Sequence, residues 1–281
     1  MNQDKPGFFA RKYNPSEESL LNIFKTPKIW GALLGEVLGT MLLTMLLMCT
    51  IGMFRVDFVP IFLMCAVIGI YVVIVKLSGA QLNPLVTAGM MATRRMSAIR
   101  GVLYILSQVV GAWIASLLLN AFRLGGSGDV GGTLPELIEA TGENFWALTF
   151  ISLLCAVILA FCFARAIRYA KKNTLVFAFT VASSIVLTYL LSVVISQNFF
   201  GLTESIVFNP ASALMYGVLP TTAENFGALA SSAGLALAVY VLVPVIGGIV
   251  GFYLSDLAAR LAGPAYQFEE DRCQNSKELN A

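Results

Sequence analysis

The sequence predicts an all-α membrane protein made of two inverted repeats, and three observations carry that prediction. First, 58% of the 281 residues are hydrophobic and only 12% are charged, about half the roughly 25% charged residues of a soluble domain. Second, six apolar stretches reach the roughly 20 residues that a helix needs to cross the hydrocarbon core of a bilayer. Third, two shorter apolar stretches, one in each half of the chain, both open with Asn-Pro.

Taken in order, residues 1–28 form a polar, charged arm without the apolar centre of a secretory signal. A first repeat, 29–122, has spans near 29–52, 59–77 and 98–122, with a half-length helix at 84–93. A Gly-rich, acidic loop occupies 123–143. A second repeat, 144–260, has spans near 144–168, 174–196 and 232–260, with a half-length helix at 210–219. Residues 261–281 are a polar tail. Three spans per repeat is an odd number, so the second copy enters the membrane upside down. Inverted repeats of this kind place a shared site at the midplane between them. The copies differ in length, since Gly111 follows Asn83 by 28 residues and Gly247 follows Asn209 by 38. The additional residues are assigned to the stretch TTAENFGALASS.

Charge sets the orientation. With the N-terminus placed in the cytoplasm, all of the 18 Lys and Arg residues except Arg55 and Arg123 fall on the cytoplasmic side. That bias predicts two cytoplasmic termini and an outer 123–143 loop. The chain has no His, which removes the commonest acid-base group and metal ligand. Cys49, Cys65, Cys155 and Cys162 lie in apolar runs, Cys273 lies in the tail, and none forms a CxxC pair. They read as small hydrophobes, and no structural disulfide is expected. With no zinc spacing, no long basic tract and no catalytic constellation, the expectation is no cofactor, no nucleic-acid partner and no enzymatic activity. The lipid bilayer is the implied environment.

The Asn-Pro pairs have a physical logic. Asn caps a helix by accepting a free backbone N–H, and Pro suits the first helical position because its missing N–H costs nothing there. Asn83-Pro84-Leu85 and Asn209-Pro210-Ala211 therefore read as two helix starts. Non-helical backbone at membrane depth is tolerated only inside protein or along a water-filled cavity. Two such starts in inverted repeats would meet tip to tip, with both asparagines facing one point. A lone Asn-Pro is usually just a turn, and the duplication in equivalent places is what favours the midplane reading. Glu36 is ionisable within a span and is a functional candidate for that reason. Gly69, Gly111, Gly247, Gly248 and Gly251 read as helix-packing positions, and Trp30 and Trp146 as interfacial anchors.

The segment SGAQLNPLVTAGM closely resembles the first signature box of the aquaporin and glyceroporin superfamily, and FNPASALMYG resembles its second box. GEVLGT resembles the start of the family's first helix, and YILSQVVGAWIASLL its third. The resemblance extends over about 29–260. It implies a right-handed bundle of six spans and two re-entrant half-helices. It also implies a passive channel for water with relaxed selectivity for small uncharged solutes, and a homotetramer in the cell membrane. A glyceroporin-like solute facilitator and a gated or structural low-flux member are the alternatives.

Residue by residue, the resemblance makes Asn83 and Asn209 the donors to permeating molecules. It places a selectivity constriction at Leu63, Ile206 and Ser212, with Thr188 and Tyr189 as the fifth-helix candidates. Glu36 becomes a brace for the half-helix loop. The chain departs from the family pattern in reading NPL for NPA and NPAS for NPAR, so the constriction lacks the usual arginine. Ala213 stands where glyceroporins usually carry Asp, which argues against glycerol. The second-repeat counterpart of Glu36, counted from Thr149, falls at Phe145, with Glu143 two residues away.

Overall fold

A computed structural model describes residues 24–25, 27–51, 58–125, 140–169, 173–202, 207–215 and 234–262. The described residues are helical bundle throughout. The helices are α1 Pro27–Ile51, α2 Val59–Ser78, α3 Pro84–Ala92, α4 Ala98–Gly125, α5 Phe145–Tyr169, α6 Thr174–Phe200, α7 Pro210–Ala213 and α8 Val243–Leu261. A π-helical stretch, Ala238–Leu242, leads directly into α8, and together they belong to one continuous span, Gly234–Leu261. Among the described residues, six helices are long and apolar enough to cross a membrane. Their bounds lie within about two residues of the sequence-based ones, except that α4 runs on to Gly125 and α6 to Phe200.

Each span has one face turned inward and one outward. Phe62, Val73, Leu106, Trp113, Phe150 and Leu187 are large, apolar and more than half exposed. An outward apolar face on every span is what a lipid-facing surface requires. Trp30 and Trp146 are exposed near span ends, where indole rings suit the bilayer interface. The additional residues expected in the second repeat, at 221–232, lie outside the described residues.

Glycines decide how closely the inner faces approach. A Cβ on Gly111 would stand 2.3 Å from the Val37 carbonyl oxygen and 3.1 Å from the Met41 nitrogen. One on Gly247 would stand 3.2 Å from the Leu153 carbonyl oxygen and 3.3 Å from the Val157 nitrogen. So α4 lies on α1 as the last span lies on α5, one contact per repeat. The half-helices cross over: α3 packs against α8, and α7 packs against α4. At Gly248 an added Cβ would lie 2.2 Å from the Leu85 carbonyl oxygen, so this glycine is what admits α3 so close to α8.

These glycine contacts fix the register between the repeats. Val37 corresponds to Leu153 and Met41 to Val157, so the counterpart of Glu36 is Ser152. This corrects the expectation of Phe145. Glu143 is exposed in the turn before α5. Ser152 is fully buried and donates to the Val239 carbonyl at 2.9 Å, on the π-helical stretch. Counting from the Thr149 side chain failed because the packed backbone, not hydroxyl spacing, sets the correspondence.

At the arginine-rich end of the bundle, Arg95, just beyond α3, pairs with Asp256 on α8, and Arg168 at the end of α5 reaches the same carboxylate at 3.0 Å. Burial pulls the Arg95 guanidinium below its ordinary value, and Asp256 acts in the opposite direction.

Candidate functional site

The chain leaves α2 in an unusual conformation. Gly79 caps it with φ 93°, and Ala80 and Leu82 follow with φ 48° and 53°. A left-handed conformation costs a residue with a Cβ roughly 1–2 kcal/mol, so the segment needs external support. Glu36 supplies it from α1. One carboxylate oxygen accepts from the Ser78 hydroxyl at 2.6 Å and the Gln81 N–H at 3.0 Å. The other accepts from the Leu82 N–H at 2.8 Å and the Gln108 side-chain amide at 2.7 Å. Gln108 also donates to Thr87 on α3 at 3.0 Å. Tyr104 donates to the Ser78 carbonyl at 3.0 Å. A fully buried acidic side chain thus meets four donors and holds the loop in its strained form.

The loop ends at Asn83, which caps α3 by accepting from the Leu85 N–H at 3.0 Å. Asn209 caps α7 in the same way, accepting from the Ala211 N–H at 3.1 Å. Pro84 and Pro210 are the first helical residues. The other end of each amide crosses to the opposite repeat. Asn83 Nδ2 donates to the Phe208 carbonyl at 3.2 Å, and Asn209 Nδ2 donates to the Leu82 carbonyl at 2.8 Å. Each asparagine therefore holds the carbonyl immediately before its counterpart. An Nδ2 carries two hydrogens, so after this exchange one hydrogen on each amide remains for a guest.

Both amides border a cavity of about 40 Å³, room for a few water molecules. Leu43, Leu47, Val86, Leu159, Ile185 and Val207 supply apolar wall, with Tyr71, Phe163 and Phe208 adding aromatic rings. Thr188 and Tyr189 also border it, but the Thr188 hydroxyl is bonded to the Ser184 carbonyl at 2.8 Å and the Ile185 carbonyl at 3.0 Å. Leu85 is buried behind the wall and backs onto Gly248. The site is thus a largely apolar cavity bordered by two asparagine amides at the meeting point of two half-helices.

The remaining candidates fall elsewhere. Leu63 is buried on the face of α2 that also carries Val67 and Tyr71, two turns from Tyr71, and does not border the cavity. Ser212 is fully buried, and its hydroxyl is bonded to the Thr44 hydroxyl at 2.8 Å, facing α1. Ile206 lies outside the described residues. Sequence reasoning gave no role to Gln108, Thr87, Ser78 and Thr44. The available signal was polarity, since each is a buried polar side chain in an apolar helix, where an unpartnered group would be costly.

Among the described residues, this polar support is seen in the first repeat. Glu36, Gln108 and Thr87 correspond by register to Ser152, Pro244 and Ala213. An acid, an amide and a hydroxyl have become one hydroxyl and two apolar residues.

Comparison with known proteins agrees with this architecture. The family model described as "Major intrinsic protein" matches residues 23–255. The X-ray structure of the aquaglyceroporin from Plasmodium falciparum is similar in fold, with a TM-score of 0.57 at 19% identity over 81% of this chain and 93% of that one. Aquaporin-1 from Rattus norvegicus is 48% identical over 44 residues, and Aquaporin-1 from Sus scrofa is 46% identical over 44 residues. Each of these alignments spans 16% of the relative's length. A bundle of six membrane-crossing helices, two asparagine-capped half-helices and a family match over most of the chain lead to one conclusion: the chain belongs to the major intrinsic protein family, whose members are multi-pass membrane channels rather than enzymes.

Proposed function

We propose that this channel conducts water passively and admits small uncharged solutes with relaxed discrimination. The reciprocal exchange between Asn83 and Asn209 carries the reading. It leaves one donor hydrogen per amide beside a cavity with room for a few water molecules. Two donors at one level hold a water by its oxygen and turn its hydrogens away from each other, which interrupts a proton wire. The surrounding apolar wall offers little that would slow a neutral molecule and nothing that would stabilise an ion.

The relaxed discrimination rests on a separate outer constriction, assigned by the resemblance to Leu63, Ile206, Ser212, Thr188 and Tyr189, of which Thr188 and Tyr189 border the cavity and Leu63 and Ser212 do not. A serine already paired with the Thr44 hydroxyl offers at most one donor where an arginine would offer several, and an arginine's bulk is missing. Each unreplaced hydrogen bond raises the cost of stripping a solute by roughly 1 kcal/mol, while the added width lets a solute keep part of its hydration. Width dominates for small neutral molecules. The repeats at 29–122 and 144–260 form one pore per protomer, four protomers assemble, and both termini are cytoplasmic in the cell membrane.

The deciding experiment is stopped-flow swelling of proteoliposomes, first with water alone and then with a panel of uncharged solutes. Water flux clearly above that of empty liposomes, with measurable solute entry and an intact proton gradient, is the expected result. Flux equal to that of empty liposomes overturns the reading in favour of a low-flux member. The narrow aromatic wall of Tyr71, Phe163 and Phe208 is the observation that favours this second reading.

A further inference from the structure

A second site lies away from the passage, at the arginine-rich end of the bundle. A groove of about 650 Å³ opens between the end of α3 and the outer face of α8. Arg94 and Arg260 stand at its rim, and both are exposed. Neither has a carboxylate partner among the described residues. Below them Val250, Leu254 and Leu257 expose apolar side chains along α8. Tyr253 lies between the two zones, its hydroxyl donating to the Ala92 carbonyl at 2.8 Å.

Asp256 also borders the groove, but it is shared by Arg95 and Arg168. Among the described residues, Arg94, Arg95, Arg168 and Arg260 are thus set against one carboxylate, a local excess of three positive charges. Arg94 adds a backbone argument. It occupies the left-handed position that ends α3, with φ 55°. The Arg94 N–H returns to the Met91 carbonyl at 3.0 Å and the Arg95 N–H to the Met90 carbonyl at 2.9 Å. That closure usually employs glycine, so a side chain is carried here at a conformational cost.

We propose that this groove binds one anionic phospholipid of the adjacent leaflet, with the phosphate between Arg94 and Arg260 and an acyl chain along Val250, Leu254 and Leu257. Charge complementarity selects the headgroup. Continuity of the apolar strip with the lipid-facing surface of α8 selects a lipid over a soluble anion. The tyrosine sits where aromatic rings favour the bilayer interface. A lipid bound here would tie α3, and through it the cap at Asn83, to the last span.

The test uses the purified full-length protein in mild detergent and native mass spectrometry of bound lipid. Phosphatidylglycerol is titrated against phosphatidylcholine with the same acyl chains. Glycerol phosphate and a synthetic peptide covering 264–281 serve as competitors. The expected result is preferential retention of phosphatidylglycerol. Each basic residue near an anionic surface contributes about 1 kcal/mol, or about fivefold. R94G and R260Q should therefore each weaken binding about fivefold and together about 30-fold, while R260K keeps most of it. R94G places the favoured residue at the left-handed position, so it preserves the fold. Equal binding of the two lipids, or an unchanged preference in the double variant, overturns the proposal. Displacement by glycerol phosphate makes this a free-anion site, and displacement by the peptide makes the chain's own tail the occupant; either result also overturns it. The readout is lipid binding, so it does not depend on what the pore conducts.

Discussion

Removing the Glu36 carboxylate should unseat the first half-helix loop. In a Glu36→Ala variant, four donors lose their acceptor: the Ser78 hydroxyl, the Gln81 and Leu82 N–H groups and the Gln108 amide. The hydroxyl can rotate, and Gln108 retains Thr87. The two backbone N–H groups have no such freedom and are buried beneath the membrane surface. At about 1–3 kcal/mol per orphaned buried donor, the loss is about 2–6 kcal/mol. It falls on a segment that already holds Ala80 and Leu82 in the left-handed region. Relaxation of Leu82 would also turn its carbonyl away from Asn209, so the damage should reach the second half-helix. The assay is thermal unfolding in mild detergent together with liposome swelling. A fall in midpoint of several degrees, on the order of 2–4 °C per kcal/mol, should accompany loss of flux. Glu36→Gln should lie between the two, since it keeps one acceptor oxygen but sets an amide N–H against donors. A Glu36→Ala protein with an unchanged midpoint and unchanged flux would refute the bracing argument.

Further substitutions address the rest of the site. Gly248→Ala forces a Cβ to within 2.2 Å of the Leu85 carbonyl; overpacking of this kind costs about 1–3 kcal/mol and should displace α3, seen as lower flux and a lower unfolding midpoint. Gly69→Ala is its control, because a Cβ there meets nothing within 4 Å and should change neither quantity. Asn209→Asp removes the donor to the Leu82 carbonyl and places a carboxylate beside it; water flux should fall at least tenfold while Asn209→Gln, tested alongside, retains more, and equal flux in all three proteins would mean the amide is not on the path. Ser212→Arg breaks the pair with Thr44 and should cut solute flux more than water flux in swelling assays. An unchanged ratio in a well-folded variant would remove position 212 from the filter.

Much of this protein is legible from the chain alone because the controlling forces are local. A span must be long and apolar whatever its neighbours, so the six crossings are readable to within a turn. Asparagine capping followed by proline is also decided within three residues, which is why Asn83 and Asn209 mark helix starts in the sequence and cap them in the structure. Glu36 is conspicuous as a lone acid in an apolar helix, because burying such a group without partners is prohibitive. Other features depend on which helix faces which, and no local rule supplies that. The hydroxyl of Ser212 could have faced the passage, but the packing of α7 places it against Thr44. The partner of Glu36 in the second repeat is Ser152, because backbone contact at Gly111 and Gly247 sets the register. The crossed bonds from each asparagine to the carbonyl before the other join residues more than a hundred positions apart. The sequence determined the pieces and their caps by short-range chemistry; only tertiary packing decided how the two half-helices hold each other, because that depends on distances between chain segments that no short-range pattern encodes.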